Sequence, residues 1–202
     1  MLPAKRVGLF FGSFNPIHTG HLIIAEHMAT RTELEQVWFV VSPHNPLKQR
    51  ATLANDFDRL HMVQLAIEDN PRLKASNIEF SLPKPSYTID TMVYLHEKYP
   101  QHQFSLIMGS DNLVTIHKWK NFELLLQRYT LHIYKRENHT DIPPLPAGAD
   151  IRIYDVPMID ISSTYIRQSL ASGQSIRYLV PESVYQFLDG SRLYKSPSGN
   201  SV

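Results

Sequence analysis

The chain has 202 residues, enough to bury a substantial core, and its 43% hydrophobic and 19% charged residues are typical of globular proteins. This composition excludes an intrinsically disordered chain, and no apolar run approaches the length of a membrane span. With 20 basic and 19 acidic residues the net charge is +1, so neither nucleic acid nor an anionic membrane is an expected partner. Cysteine is absent, which excludes disulfides, thiolate nucleophiles and zinc sites that need sulfur, and makes a cytoplasmic location the expectation.

The first elements in chain order form a strand, helix, strand unit. Residues 7–11 are an apolar run that ends in a turn-forming cluster, which predicts a buried strand and, because the run is so short, no signal peptide. Leu22, Ala25 and Met28 then recur at helical spacing, and the apolar residues 37–41 predict a second buried strand.

The later elements continue this alternation. Apolar spacing predicts helices over residues 56–69 and from 89 to near Pro100, a strand over 104–108, a helix around 124–125, strands over 130–134 and 151–156, and helices beginning at Ser162 and Pro181. The pattern predicts an α/β fold with an open, mostly parallel sheet, helices on both faces and ligands beyond the carboxyl ends of the strands. We expect one domain over residues 1–190, loops over 43–55, 82–88 and 140–149, and a mobile tail over 191–202.

The loop after the first strand carries a candidate phosphate site. Residues 12–21 read Gly-Ser-Phe-Asn-Pro-Ile-His-Thr-Gly-His, directly before a predicted helix. Gly12 permits a sharp turn and close approach to a ligand, and a helix start offers unpaired N–H groups to an anion. His18 and His21, three residues apart, can donate hydrogen bonds to phosphoryl oxygens. The alternatives are histidines that cap or pack, and a zinc site, which lacks the His-Glu-x-x-His spacing and a third ligand.

A second candidate phosphate site opens a helix near the end of the chain. Residues 161–167 read Ile-Ser-Ser-Thr-Tyr-Ile-Arg. Ser162 can cap the helix, which leaves Ser163 and Thr164 in the first turn at the positive end of the helix dipole. Arg167 lies four residues after Ser163, on the same face, where its guanidinium suits a phosphate chain. The alternative is a surface helix with an ordinary cap and an exposed arginine.

Both motifs resemble signatures of one superfamily. Residues 12–21 resemble the Gly-x-Phe-x-Pro-x-His-x-Gly-His signature of the nucleotidyltransferases, Rossmann-like adenylyl and cytidylyl transferases, and residues 161–167 resemble the second signature, which in that family holds the β- and γ-phosphates of ATP. The resemblance implies that the catalytic residues are His18, His21 and Arg167. The ATP-binding residues that we expect are Gly12, Ser13, Phe14, His18, His21, Gly109, Asp111, Ser162, Ser163, Thr164 and Arg167.

Several further segments resemble one family within this superfamily. Residues 42–48, 85–91, 108–111, 117–119 and 175–182 resemble segments of the bacterial nicotinate mononucleotide adenylyltransferases. That family transfers the adenylyl group of ATP to nicotinate mononucleotide, giving nicotinate adenine dinucleotide and pyrophosphate. The resemblance implies Mg²⁺ bound mainly through the ATP phosphates, with no protein metal site and no covalent enzyme intermediate.

The acceptor-binding residues that we expect follow from the shape and charge of nicotinate mononucleotide. The ring needs a flat partner, which Tyr87 or Trp119 can supply, and its carboxylate needs donors such as the Thr88 hydroxyl. Lys48 and Arg136 can hold the acceptor phosphate, while Asp111 can accept from ribose hydroxyls. Tryptophan as a partly buried anchor and lysine as a solvated surface charge are the alternatives.

The sequence departs from the family pattern at one position and leaves several alternative functions open. Asn15 stands where many family members carry aspartate, which removes a negative charge from the loop. Nicotinamide mononucleotide and phosphopantetheine are rival acceptors, and a non-catalytic module that senses ATP is a rival of another class. Nucleic-acid binding lacks a basic stripe. The sequence leaves open whether the chain forms a homo-oligomer.

Overall fold

The computed structural model describes residues 4–43, 53–136 and 145–196. The strands in these ranges are β1 (Arg6–Gly12), β2 (Gln36–Val41), β3 (Leu73–Ser76), β4 (Gln103–Gly109), β5 (Leu131–Tyr134) and β6 (Ile151–Tyr154). The α-helices are α1 (Thr19–Arg31), α2 (Asp56–Ala66), α3 (Thr88–Lys98), α4 (Ser110–Val114), α5 (Phe122–Arg128), α6 (Ser163–Ala171) and α7 (Glu182–Asp189). Two short 3₁₀ helices cover Ile78–Ser81 and Ile116–Lys118.

The six strands form one sheet in the order β3-β2-β1-β4-β5-β6, and every neighbouring pair is parallel. The predicted open, parallel α/β sheet is therefore confirmed. The chain moves outward in one direction from β1 to β3 and in the other from β4 to β6. Ligands of such sheets bind beyond the carboxyl ends of the strands where the order reverses, which here are Gly12 of β1 and Gly109 of β4.

Successive side chains of the central strands point to opposite faces of the sheet and form two apolar layers, one on each face. In β1, Leu9 belongs to one layer and Phe10 to the other. Met28 of α1 and Val184 of α7 pack in the layer of Phe10, whereas Met92 of α3 packs in the layer of Leu9. Helices therefore cover both faces, as expected for a parallel sheet whose strands are apolar throughout.

The buried face of α2 differs from the face that its apolar spacing suggests. Val63 and Ile67 are buried, but Phe57 is 67% exposed and Leu60 is only partly buried. Arg59 is fully buried instead, at 0% exposure. Apolar spacing fails here because the helix turns a charged side chain toward polar backbone at the end of the sheet.

Two further differences concern a strand and the end of the chain. The sequence did not predict β3, whose four residues include only one fully buried side chain and show no clear period. Within the segment that we expect to be a mobile tail, Leu193 and Tyr194 of residues 191–196 pack against the apolar layer of Phe10. Residues 197–202 lie outside the described part. Of the helices in the described ranges, none is long and apolar enough to span a membrane.

Candidate active site

The two candidate phosphate motifs meet directly at the carboxyl end of β1. The Arg167 Nη1 atom on α6 donates to the backbone carbonyl of Asn15 at 2.9 Å. The Ser163 hydroxyl, at the start of α6, donates to the carbonyl of Pro16 at 2.9 Å. These two hydrogen bonds join residues that are 147 and 152 positions apart in the sequence, so the starts of α1 and α6 lie side by side.

The same contacts decide which backbone groups the loop can offer to an anion. The carbonyls of Asn15 and Pro16 accept hydrogen bonds from α6, and the carbonyl of Ser13 accepts one from Arg59 at 2.5 Å. Carbonyl oxygens repel phosphate, whereas N–H groups at a helix start attract it. A loop with its carbonyls occupied in this way is suited to anion binding at the start of α1.

His18 and His21 are paired by the way in which α1 begins. His18 is the N-cap residue, and its backbone N–H donates to Nδ1 of His21 at 3.2 Å. The two rings are close, with centroids 3.7 Å apart and planes inclined by 31°. Because Nδ1 of His21 is an acceptor, a neutral His21 carries its proton on Nε2 and can donate from that atom.

Burial controls the charge of His18. The side chain is 6% exposed, and burial together with the nearby positive charge of Arg136 lowers the pKa of His18 to about 4. Its Nδ1 atom is buried and makes no hydrogen bond with any residue in the described ranges. His18 is therefore a neutral imidazole near pH 7, which acts on an anion as a hydrogen-bond donor rather than as a cation.

Gly109, Asp111 and Arg136 meet at the end of β4. The Arg136 Nε atom lies 3.4 Å from Asp111 Oδ1, and the backbone N–H of Arg136 donates to the Ser110 hydroxyl at 3.0 Å. A Cβ atom at position 109 would collide with the Asp111 carboxylate and lie 3.1 Å from Arg136 Nε. Glycine therefore makes room for this ion pair at the point where the strand order reverses, close enough to His18 for the charge of Arg136 to lower the pKa of that imidazole.

Gly12 and Phe14 have a packing role that the sequence did not show. Phe14 has a positive φ of 44° and folds back over Gly12, where a Cβ atom would lie 2.7 Å from the phenyl ring. The ring is 2% exposed and meets the His21 ring edge to face, with centroids 5.2 Å apart. Phe14 thus supports His21 from the apolar side, and the space that we expected a ligand to use beside Gly12 is filled by this ring.

The start of α6 follows the predicted capping. The Ser162 hydroxyl accepts from the backbone N–H of Tyr165 at 3.1 Å, which leaves Ser163 as the first helical residue. Thr164 is exposed, and its hydroxyl accepts from Arg167 Nη2 at 3.3 Å. The Arg167 guanidinium therefore spans from Asn15 to Thr164 across the helix start.

Two of the expected acceptor residues, Tyr87 and Thr88, lie on a more open surface than the phosphate motifs. Tyr87 precedes α3 and is 37% exposed, and Thr88 begins that helix. Lys120, next to Trp119, lies 4.9 Å above the Tyr87 ring and forms an ion pair with Asp90 at 2.8 Å. Trp119 is partly buried against the apolar layer of Leu9. An open cavity of about 440 Å³ is lined by residues 82–87, Asp90 and Lys120. Lys48 lies outside the described residues.

A buried carboxylate anchors this acceptor segment. Glu79 is 2% exposed and accepts hydrogen bonds from the Thr91 hydroxyl at 2.8 Å and the Ser86 hydroxyl at 3.2 Å. Burial raises the pKa of Glu79, while the hydrogen bonds from Thr91, Ser42 and Ser86 oppose that rise. Sequence reasoning missed Glu79, because an acidic residue is normally exposed.

Arg59 is the second buried charge that sequence reasoning missed. Besides Ser13, its guanidinium donates to the carbonyls of Ser42 at 2.8 Å and Pro43 at 3.3 Å, and it pairs with Asp56 at 2.6 Å. It therefore ties the ends of β1 and β2 to the start of α2. The one available signal was an arginine at an inward position of α2, three residues after an aspartate.

The described residues contain no group of three or more histidine and carboxylate side chains that could hold a metal ion. Of the residues assigned to ATP, Asp111 is the carboxylate, and it is already paired with Arg136. A divalent cation in this site would depend on ligands that a substrate brings.

Comparisons with known proteins agree with this geometry. A model of the cytidylyltransferase-like family matches residues 9–169, a range that includes both phosphate motifs. A protein of Flavobacterium johnsoniae, named "Probable nicotinate-nucleotide adenylyltransferase", is 49% identical over 94% of this chain and 99% of its own length. A protein of Flavobacterium psychrophilum with the same name is 50% identical over the same shares of the two chains.

Solved structures share the fold at low sequence identity. The nicotinic acid mononucleotide adenylyltransferase of Plasmodium falciparum, complexed with NaAD, superposes with a TM-score of 0.78 at 19% identity, over 94% of this chain and 97% of that chain. A putative nicotinate-nucleotide adenylyltransferase of Vibrio parahaemolyticus gives 0.72 at 20% identity, over 96% and 97%. The chain therefore belongs to the cytidylyltransferase-like family and, within it, to the nicotinate-nucleotide adenylyltransferases.

Proposed function

We propose that this site transfers the adenylyl group of ATP to nicotinate mononucleotide, giving nicotinate adenine dinucleotide and pyrophosphate. The observation that carries the proposal is the junction of the two phosphate motifs, made by Arg167 on Asn15 and Ser163 on Pro16. It brings two helix starts to one edge of the sheet, where a triphosphate can meet both. The names of the relatives that cover nearly the whole chain support the same reaction.

His18 and His21 are the donors to the α- and β-phosphates in this proposal. Both stand at the start of α1, where the helix dipole favours negative charge. Imidazoles held by capping and ring contacts are preorganised, so their hydrogen bonds become stronger as charge develops on the phosphate oxygens during transfer. Gly12, Ser13 and Phe14 serve the same site through the shape of the loop.

The start of α6 is the proposed site of the leaving pyrophosphate. The N–H groups of Ser163 and Thr164 and the Thr164 hydroxyl, with the Ser162 cap before them, lie at the positive end of the helix, and Arg167 adds a positive charge. Two of the Arg167 nitrogens contact Asn15 and Thr164, which orients the guanidinium before ATP binds.

The chemical step needs no general base. The phosphate of the acceptor is already an anion near pH 7, and one of its oxygens attacks the α-phosphorus of ATP. The bond from that phosphorus to the bridging oxygen of the β-phosphate breaks, and its electron pair leaves with pyrophosphate. Catalysis then rests on alignment and charge stabilisation, so no covalent enzyme intermediate is required.

The acceptor occupies the open side of the site in this proposal. Tyr87 and Trp119 offer flat faces for the nicotinate ring, and Thr88 offers its hydroxyl and a helix-start N–H to the carboxylate. Arg136 and Lys48 hold the acceptor phosphate. The pairing of Arg136 with Asp111 at the end of β4, and the influence of its charge on the pKa of His18, support this role, because the acceptor phosphate must approach the α-phosphate near His18. Asp111 and Gly109 then face the ATP ribose.

We expect Mg²⁺ to occupy the site bound to the triphosphate. With Asp111 paired to Arg136, phosphate oxygens would supply most of its ligands, in keeping with the preference of this ion for phosphate and water. When bound, it would neutralise phosphate charge and polarise the α-phosphate.

The test is pyrophosphate release from ATP with three acceptors: nicotinate mononucleotide, nicotinamide mononucleotide and phosphopantetheine. We expect nicotinate mononucleotide to give the highest kcat/KM. The variant H18A should lose about a hundredfold or more of kcat, the range found when one preorganised donor to a developing anion is removed. Preference for another acceptor would overturn the substrate, and wild-type turnover by H18A would overturn the role of His18.

A further inference from the structure

The segment after α7 reaches into the loop that carries the first phosphate motif. The Tyr194 hydroxyl donates to Oδ1 of Asn15 at 2.5 Å, across 179 positions of sequence. The same oxygen accepts the backbone N–H of Ala54 at 3.1 Å. Asn15 is 4% exposed, so these hydrogen bonds are made in a desolvated place where geometry is strongly enforced.

Tyr194 is held in place by its neighbours in the chain. The Lys195 Nζ atom donates to the carbonyl of Asp189 at the end of α7, at 2.6 Å, and the Ser196 hydroxyl donates to the carbonyl of Ala171 at the end of α6, at 3.0 Å. Tyr194 itself has a φ of 62°, in the left-handed region that a bulky residue occupies only under constraint. The segment is thus fixed on both C-terminal helices, with the phenol aimed at Asn15.

The electrostatic surroundings keep the phenol neutral. Burial raises the pKa of Tyr194, while the nearby positive charges of Arg167 and Arg59 oppose that rise and the negative charge of Asp58 adds to it. The hydroxyl therefore remains a donor at physiological pH. Its Asn15 partner is neutral as well, so this contact adds no negative charge to a loop that would bind a triphosphate.

Asn15 connects this contact to the reacting groups. Its backbone carbonyl accepts from Arg167, and it lies three residues before His18. The hydrogen bond from Tyr194 restrains the Asn15 side chain, and a shift of the Asn15 backbone would disturb both the Arg167 contact and the entry into α1. We infer that Tyr194 is a positioning residue for ATP, which acts through Asn15 to hold the loop between β1 and α1 in its phosphate-binding shape.

This inference rests on the proposed function, but its main test does not need turnover. The dissociation constant for ATP is measured by calorimetry for wild type, Y194F, N15A and the Y194F/N15A double variant. Y194F removes the hydroxyl and keeps the ring, so packing of the segment is retained. We expect a rise of about fivefold to tenfold in Kd for Y194F, the size of one buried hydrogen bond. The control is Y94F, which removes the hydroxyl of a tyrosine exposed on α3 and should leave Kd unchanged.

The double variant separates positioning from packing. If Tyr194 acts through Asn15, the double variant should bind ATP as weakly as N15A alone, because the second change removes a contact already lost. A Kd within twofold of wild type for Y194F would overturn the inference, and so would fully additive effects in the double variant. A wild-type chain that binds ATP but releases no pyrophosphate with any of the three acceptors would overturn the proposed function, while the Kd values would still decide the role of Tyr194.

Discussion

The phosphate side and the acceptor side of the candidate site are built differently. On the phosphate side His18 and Asn15 are buried, Arg59 is fully buried, and loop carbonyls are bound by side chains of α2 and α6. On the acceptor side Tyr87 is 37% exposed, and the ion pair of Lys120 with Asp90 joins side chains that are 43% and 51% exposed. Under the proposed function we therefore expect triphosphate binding to rely on a fixed polar network and acceptor binding to rely on open aromatic surface.

The largest effect that we expect comes from removing the buried charge of Arg59 on the phosphate side. R59M keeps an apolar stem but leaves the carbonyls of Ser13 and Ser42 without the Arg59 donor, while Asp56 keeps only its ion pair with Lys84 at 3.6 Å. We expect the free energy of unfolding to fall by about 3–5 kcal/mol, because several polar groups at this buried position lose their donor at a cost of about 1–3 kcal/mol each. The measurement is urea unfolding followed by circular dichroism.

The matched control for R59M is R6M. Arg6 pairs with Glu35 at 3.7 Å, but their side chains are 51% and 46% exposed. An exposed pair of this kind contributes about 1 kcal/mol or less. Equal losses in the two variants would show that the network around Arg59 does not stabilise the phosphate side beyond an ordinary surface contact.

Arg59 also shows where sequence reasoning reaches its limit. The sheet, both motifs and the Ser162 cap were predictable, because each leaves a local pattern of apolar spacing, glycine or hydroxyl residues. The convergence of the two motifs followed from topology, since helices that come after parallel strands start at one edge of the sheet. Arg59 binds backbone carbonyls, which every residue has, so no pattern of side chains marks its partners.

The same limit applies to the packing role of Gly12 and to the tail. Glycine at the end of a strand suggested close approach of a ligand, but the ring that fills the space belongs to Phe14, two residues later. The segment 191–196 is polar and short, and its order depends on Tyr194 reaching Asn15 across the fold. Neither contact has a local signature, because both depend on which elements the tertiary fold brings together.

A second way to test the phosphate side uses the acid sensitivity of His18. Its pKa of about 4 lies below the ordinary value of about 6.5, so the unfolded chain binds the proton more tightly than the folded chain. The stability that depends on neutral His18 is therefore present above pH 6.5 and is lost as the pH falls toward 4. A shift of this size corresponds to about 3 kcal/mol at most.

H18Q, which has no titrating group, should remove this part of the pH dependence. The measurement is the free energy of unfolding of wild type and H18Q, without ligands, between pH 4 and pH 7.5. The difference between the two chains should change by up to about 3 kcal/mol as the pH falls from 6.5 to 4 and stay constant above pH 6.5. H96Q removes an exposed imidazole from α3 and is the control. Parallel profiles for wild type and H18Q would contradict the burial of a neutral His18.

The smallest effect that we expect comes from replacing Trp119 on the acceptor side, and it tests whether the two sides act independently. W119A removes a partly buried indole, and loss of one aromatic stacking partner should raise KM for nicotinate mononucleotide about tenfold. KM for ATP should stay within about twofold, because the network on the phosphate side does not include Trp119. Y94A removes an exposed aromatic ring from α3 and is the control. Equal rises in KM for both substrates would mean that the two sides are coupled, and that Trp119 supports the site as a whole rather than the acceptor alone.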